Sequence, residues 1–93
     1  MIAAKIDVVP PTASLSHREA CQIFDHVVRK TSARTVILDL KRVHEASTSG
    51  FARLVLLRRA LLSNGRDLRL AGLHDRVAHL YGINRLAGVL PCL

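Results

Sequence analysis

Two hydrophobic patterns alternate along the chain, one with the period of a helix and one running as short apolar blocks, and together they predict its elements. Ala20, Ile23, Phe24, Val27 and Val28 recur at i, i+3, i+4, i+7 and i+8, which predicts one buried helical stripe. Ser16-His17-Arg18-Glu19 just ahead of it is a capping box, with Ser16 accepting from the Glu19 amide and Glu19 reaching back to the Ser16 amide. Arg29-Lys30 suit the negative end of the helix dipole, so this helix is predicted to end near Thr31. Thr35-Val36-Ile37-Leu38-Asp39-Leu40 is almost continuously apolar with β-branched residues at its start, the pattern of a central parallel strand covered on both faces by helices. A second helix is predicted from Thr48 to about Ser63, stopped by Asn64-Gly65 and followed by a strand, Asp67-Leu68-Arg69-Leu70-Ala71. Lys5 to Val9 reads as a short first strand closed by Pro10-Pro11. Asp75 to Tyr81 reads as a short helix closed by Gly82, and Gly88-Val89-Leu90 before Pro91 as a last edge strand. The order predicts an α/β fold: a mixed sheet of about four strands flanked by three to four helices, with Phe24, Val27 and Leu70 in its core.

With 93 residues there is room for one core, so residues 1–93 are expected to form a single domain. Hydrophobic residues at 49% and charged residues at 23% suit a chain that folds rather than one that stays disordered. Cys21 and Cys92 stand far apart with neither CxxC spacing nor a matching His pair, which argues against a disulfide framework or a zinc site and for a reducing compartment. Lys5 and Asp7 interrupt the apolar start before a signal-peptide core forms, so a cytoplasmic protein without membrane insertion is expected. The net charge of +7 raises the question of nucleic acid. Its arginines, however, are scattered among leucines and form no run beyond the pair Arg58-Arg59, and with only Phe24, Phe51 and Tyr81 as aromatics there is no stacking platform. An acidic protein surface is the expected partner, and nucleic acid is not.

Candidate chemistry narrows quickly. His74 and His79 are five apart, which places them roughly 140° from one another on a helix and so on different faces. The chain has no GxSxG elbow, HExxH helix or GxxxxGK[ST] loop, and its glycines stand singly. A nucleotide-binding doubly wound domain would need such a phosphate loop, so no enzyme activity, cofactor or metal is expected. Ala46-Ser47-Thr48-Ser49-Gly50-Phe51 is distinctive, with three consecutive hydroxyls where the second helix begins. As caps they satisfy free helix amides. The same free amides and the positive dipole end also tolerate a phosphate, so a hydroxyl there can be phosphorylated without loss of the helix.

Val36-Ile37-Leu38-Asp39-Leu40, then Val43, then Ser47-Thr48-Ser49-Gly50-Phe51 resembles the STAS domain pattern of a hydrophobic strand ending Asp-Leu, a Val, and Asp-Ser-Ser-Gly-Leu. Asn64-Gly65, Leu68-Arg69-Leu70-Ala71-Gly72 and Val77 to Leu86 extend the similarity over about residues 34–90. The resemblance implies a protein-binding regulatory domain of the bacterial anti-sigma factor antagonist type, switched by a partner kinase. In it Thr48 takes the phosphoacceptor position, Asp39 supports the loop, and Ser49 and Gly50 keep the rest of the loop. Ser47 stands where the family usually has Asp, and supplies a cap without a charge. The expected partner is an anti-sigma factor acting as serine kinase. The alternative is that this is the small STAS subunit of an ATP-binding cassette phospholipid transporter, docked on its ATPase without phosphorylation. The second helix is too apolar for any of its faces to be wholly polar, so aliphatic groups are expected outside. Ser47, Ser49, Gly50, Phe51, Arg53, Leu56 and Arg59 are the expected partner-binding residues, for a protein with an acidic-rimmed apolar groove or for a second copy of this chain.

Overall fold

A computed structural model of the chain describes residues 6–9, 14–30 and 33–92. In order the elements are β1 (Ile6–Val9), β2 (Ser14–Leu15), α1 (His17–Lys30), β3 (Thr35–Asp39), β4 (Glu45–Ala46), α2 (Thr48–Leu62), β5 (Asp67–Ala71) and α3 (Asp75–Ile83), with a 3-10 turn at Leu86–Gly88. The predicted ends at Pro10-Pro11 and Thr31 lie outside the described residues.

β3 is the middle strand of a three-stranded sheet ordered β1-β3-β5, with Ile6 opposite Thr35 on one side and Thr35 opposite Asp67 on the other. All pairings among the described residues are parallel, where a mixed sheet was expected. Both crossovers step the same way across the sheet, and a right-handed connection then puts α1 and α2 on one face. There they pack against each other. This corrects the expectation of helices on both faces of β3: Val36 and Leu38 are fully buried, while Thr35, Ile37 and Asp39 are only half-buried. β5 repeats the alternation, with Leu68 and Leu70 inside.

Local signals fix the helices. The Ser16 hydroxyl donates to Glu19 Oε2 at 2.8 Å rather than accepting from the Glu19 amide, while the Ala20 amide donates to the Ser16 carbonyl at 2.9 Å. The hydroxyls of Ser16 and then Ser14 hold the Glu19 carboxyl below its ordinary pKa, against a smaller opposing effect of desolvation. Ala20, Ile23 and Val27 are buried as the stripe predicted and Phe24 is partly so, but Val28 is 50% exposed because it sits about 100° round from Val27. α2 ends as predicted: the Gly65 amide donates to the Leu62 carbonyl at 3.1 Å and the Arg66 amide to the Leu61 carbonyl at 2.9 Å. α3 runs on through Gly82 to Ile83, so Gly82 is not its stop. The turn comes at Asn84 and at Arg85, whose φ is 52°.

The last edge strand also differs from expectation. Gly88 belongs to the 3-10 turn, and pairing with the sheet waits for a single bridge between Leu70 and Cys92. The Leu70 amide donates to the Pro91 carbonyl at 3.0 Å, a contact for which proline needs no N–H. The Tyr81 hydroxyl ties this segment down by donating to the Leu90 carbonyl at 2.7 Å. A second clamp lies at the far end of the sheet, where Asp67 receives Arg58 Nε at 2.9 Å, Arg69 Nε at 3.2 Å and the Leu68 amide at 2.8 Å. Burial alone would raise the Asp67 pKa. The Leu68 amide and the two guanidiniums outweigh it and hold the carboxyl below its ordinary value.

Candidate functional site

The three hydroxyls lie beyond the carboxyl ends of β3 and β5, where α2 begins. β2 and β4 bring them there. These two-residue strands pair in parallel, Leu15 with Ala46, and the Ser47 amide then donates to the Leu15 carbonyl at 3.1 Å. Ser47 is the N-cap, its Oγ accepting from the Gly50 amide at 3.0 Å and lying 3.3 Å from Ser49 Oγ. Thr48 is exposed on the first turn, and its Oγ1 accepts from the side-chain amide of Asn84 at 3.4 Å. That amide is oriented by donating also to the Leu80 carbonyl at 2.9 Å.

Asp39 sits at the end of β3 and holds the turn that follows it. Its Oδ1 accepts from the Lys41 amide at 3.0 Å, and its Oδ2 is 3.9 Å from Lys41 Nζ. Gly72 closes over this turn at φ 73°, so near that an added Cβ would be 2.9 Å from both Asp39 Oδ1 and the Lys41 amide nitrogen. Only glycine suits both the left-handed backbone and the space.

Two of the expected partner-binding residues are corrected. Gly50 is buried against β2: a Cβ there would overlap the Leu15 carbonyl oxygen, so its role is to let α2 approach β2 closely. Phe51 is 1% exposed and packs edge to face on Tyr81 at a ring separation of 6.2 Å, so it anchors α2 and lies at the base of the surface rather than projecting from it. The others do face out or flank. Ser49 and Arg59 are exposed, Leu56 is 47% exposed, and Arg53 is half-buried with its Nε lacking a hydrogen-bond partner.

Tertiary packing adds residues that the sequence pattern did not single out. A cleft of about 230 Å³ opens beside Thr48, walled by Phe51, Ala52 and Val55 of α2 and by Asn84 and Leu86 beyond α3. Ile83 at the end of α3 and Val89 beyond it are also exposed. A second cleft of about 370 Å³ lies between β4 and α3, lined by Glu45, Ala46, Arg76, His79 and Leu80. α2 carries no acidic residue, and apart from Thr48 and Asn84 the walls of the cleft beside Thr48 are apolar. Among the described residues no group of three or more His, Cys, Asp or Glu side chains could hold a metal, and no helix is long and apolar enough to cross a membrane.

Comparison with known proteins accords with this geometry. The NMR structure of the protein TM1081 superposes with a TM-score of 0.82 at 14% identity, covering 100% of this chain and 77% of that one. A sulfate transporter family protein from Wolinella succinogenes gives 0.78 at 16% identity, covering 97% and 75%. The anti-sigma factor antagonist SpoIIAA in its unphosphorylated form gives 0.76 at 17% identity, covering 100% and 84%. At such identities these neighbours speak for the fold. A search of the curated proteins finds no match. The STAS domain pattern matches residues 3–91, nearly the whole length, and the chain therefore belongs to the STAS domain family.

Proposed function

We propose that this STAS domain is a non-catalytic binding module of the anti-sigma factor antagonist kind, and that phosphorylation of Thr48 by a partner kinase decides what it binds. The observation that carries this reading is the position of Thr48: an exposed hydroxyl on the first turn of α2, at the mouth of an apolar cleft. The likeness to SpoIIAA, an anti-sigma factor antagonist with an unphosphorylated form, supports it. The helix amides and positive dipole end at Thr48 favour an anion, so a phosphate of about −1.5 to −2 charges leaves the fold intact. The same phosphate, set beside apolar cleft walls, changes what the cleft accepts. In this reading Ser47 and Ser49 shape the loop, Asp39 supports it, Leu56 supplies apolar contact, and Arg53 and Arg59 steer an acidic partner.

The test is to isolate the chain from its native cells with its partner, map phosphate by mass spectrometry, and compare partner affinity of the wild type with Thr48→Ala and Thr48→Glu. Thr48→Ala is expected to bind without switching, and Thr48→Glu to bind at least tenfold more weakly, a change of about 1.4 kcal/mol. Phosphate at Ser16 or Ser63 with Thr48 untouched, together with wild-type affinity for Thr48→Glu, refutes the switch.

A second reading is favoured by Ser47, which caps α2 but leaves the acceptor without an adjacent carboxylate. In it the same surface docks constitutively on a transporter ATPase. Recovery of an ATPase, bound equally by the wild type and Thr48→Ala with no phosphate on either, decides for that alternative.

A further inference from the structure

His74 bridges two segments 33 residues apart. It stands just before α3, with its Nε2 2.8 Å from the Lys41 carbonyl oxygen and its Nδ1 3.0 Å from Asp75 Oδ2. Both partners only accept hydrogen bonds. A neutral imidazole has one N–H, and a change of tautomer only moves it from one nitrogen to the other, so the neutral form leaves one oxygen facing a lone pair. Only the imidazolium donates to both.

The charged and titratable groups around the ring come from two elements. Asp75 belongs to the first turn of α3. From the segment between β3 and β4 come the Lys41 carbonyl, the Lys41 ammonium drawn toward Asp39, and the His44 ring, which meets His74 edge-on at 5.7 Å. Asp75 favours the charged ring most, partial burial opposes it, and the Lys41 carbonyl again favours it, with the balance raising the His74 pKa above its ordinary value. The backbone here is also held in uncommon states, with Gly72 at φ 73° and Asp75 at φ 50°. The segment held by the Lys41 carbonyl runs straight on through β4 to Ser47 and Thr48.

We infer that His74 is a positioning residue: protonated, it clasps the segment between β3 and β4 to the start of α3 and so fixes the approach to Ser47 and Thr48, and on losing its proton it releases that segment. The clasp is a property of the fold, independent of any partner; only its bearing on Thr48 rests on the function proposed above. A group whose folded pKa is raised stabilises the folded state fully below its unfolded value and loses that effect as pH rises through the folded value. The clasp is therefore closed at mildly acidic pH and opens above the folded His74 pKa.

The experiment follows the His74 ring by NMR across pH, together with hydrogen exchange of amides 42–47 corrected for the intrinsic rise of exchange with pH. It uses the whole chain as wild type, Asp75→Asn and His74→Gln. Asparagine tolerates the left-handed backbone and removes only the charge. His74 is expected to titrate above 6.5, with a rise in corrected exchange at the same midpoint. Asp75→Asn should move both midpoints down together, and His74→Gln should abolish the transition. A His74 midpoint at or below 6.5, or corrected exchange without a step at that midpoint, overturns the inference. Should His74→Gln fail to fold, the paired shift in Asp75→Asn decides alone. Thr48 phosphorylation is not measured, so its absence leaves this test untouched.

Discussion

Gly50→Ala tests the seat of α2 on β2 most directly. An alanine Cβ at this position would overlap the Leu15 carbonyl oxygen and come within 3.1 Å of the carbonyl carbons of both Leu15 and Ser16. These are backbone atoms with no rotamer to turn aside, so the first turn of α2 must move by about 1 Å to regain ordinary contact distances. Overpacking of this sort costs about 1–3 kcal/mol. The same movement stretches the 3.1 Å bond from the Ser47 amide to the Leu15 carbonyl, a further loss of about 1 kcal/mol. Alanine's greater helix propensity returns about 1 kcal/mol, leaving a net destabilisation of about 2 kcal/mol. For a domain of this size that corresponds to a fall in Tm of about 8–16 °C. Gly82→Ala is the matched control, since it also lies within a helix but its added Cβ meets nothing within 4 Å. It should gain about 0.5–1 kcal/mol. Paired thermal and urea denaturation of both variants supplies the measurement. A Gly50→Ala variant that melts at or above the wild type would refute the close approach as the reason for glycine.

Leu56→Asp and Arg59→Glu, both on the exposed side of α2, should leave urea stability within about 0.5 kcal/mol of wild type while weakening partner binding in a titration. Wild-type affinity in both folded variants removes this helix from the interface. Asp67, its pKa held down by the Leu68 amide and by Arg58 and Arg69 against desolvation, stabilises the fold above its unfolded pKa and loses that effect as pH falls through the lower folded value. Asp67→Asn should therefore flatten the acid limb of stability against pH, and an unchanged limb excludes the clamp. Tyr81→Phe removes the 2.7 Å hydrogen bond to the Leu90 carbonyl and should cost about 1 kcal/mol in urea denaturation, with hydrogen exchange of the Leu70 amide accelerated.

The chain discloses its own structure where the cause is local. Ser47 caps α2 and Gly65 ends it because each acts on backbone groups within four residues, and such chemistry is written in the sequence. The Ser16-Glu19 pair likewise marks the start of α1, though the hydroxyl donates where acceptance was expected. The strand at β3 is legible from its apolar run, yet the run did not disclose that one of its faces is left half-covered, because this follows from the order of strands in the sheet. β2 and β4 are two residues each and offer no period to detect. The site divides the same way. Thr48 and its flanking serines stand out in the sequence as three consecutive hydroxyls at a helix start, but Asn84 and Leu86 come beside Thr48 only through the return of the chain after α3. Gly50 and Phe51 share a motif with Thr48 and point elsewhere, since consecutive helical residues lie about 100° apart.

The parallel pairing also bears on how the chain reaches its native state. Ile6 meets Thr35, Ser14 meets Glu45 and Thr35 meets Asp67, so the three pairings between β1 and β3, β2 and β4, and β3 and β5 each join positions about 30 apart. None of these contacts forms as a hairpin, and each needs a long loop closed before it returns any stabilisation. α1 and α2 can form first, but α1 reaches its cover only when the sheet and α2 are already near. The transition state should accordingly contain β3 with both neighbouring strands and the α1–α2 contact, giving high φ-values at Val36, Leu38 and Leu54 and low ones in α3. Refolding should be slow for a chain so small, in the millisecond-to-second range typical of folds dominated by distant contacts.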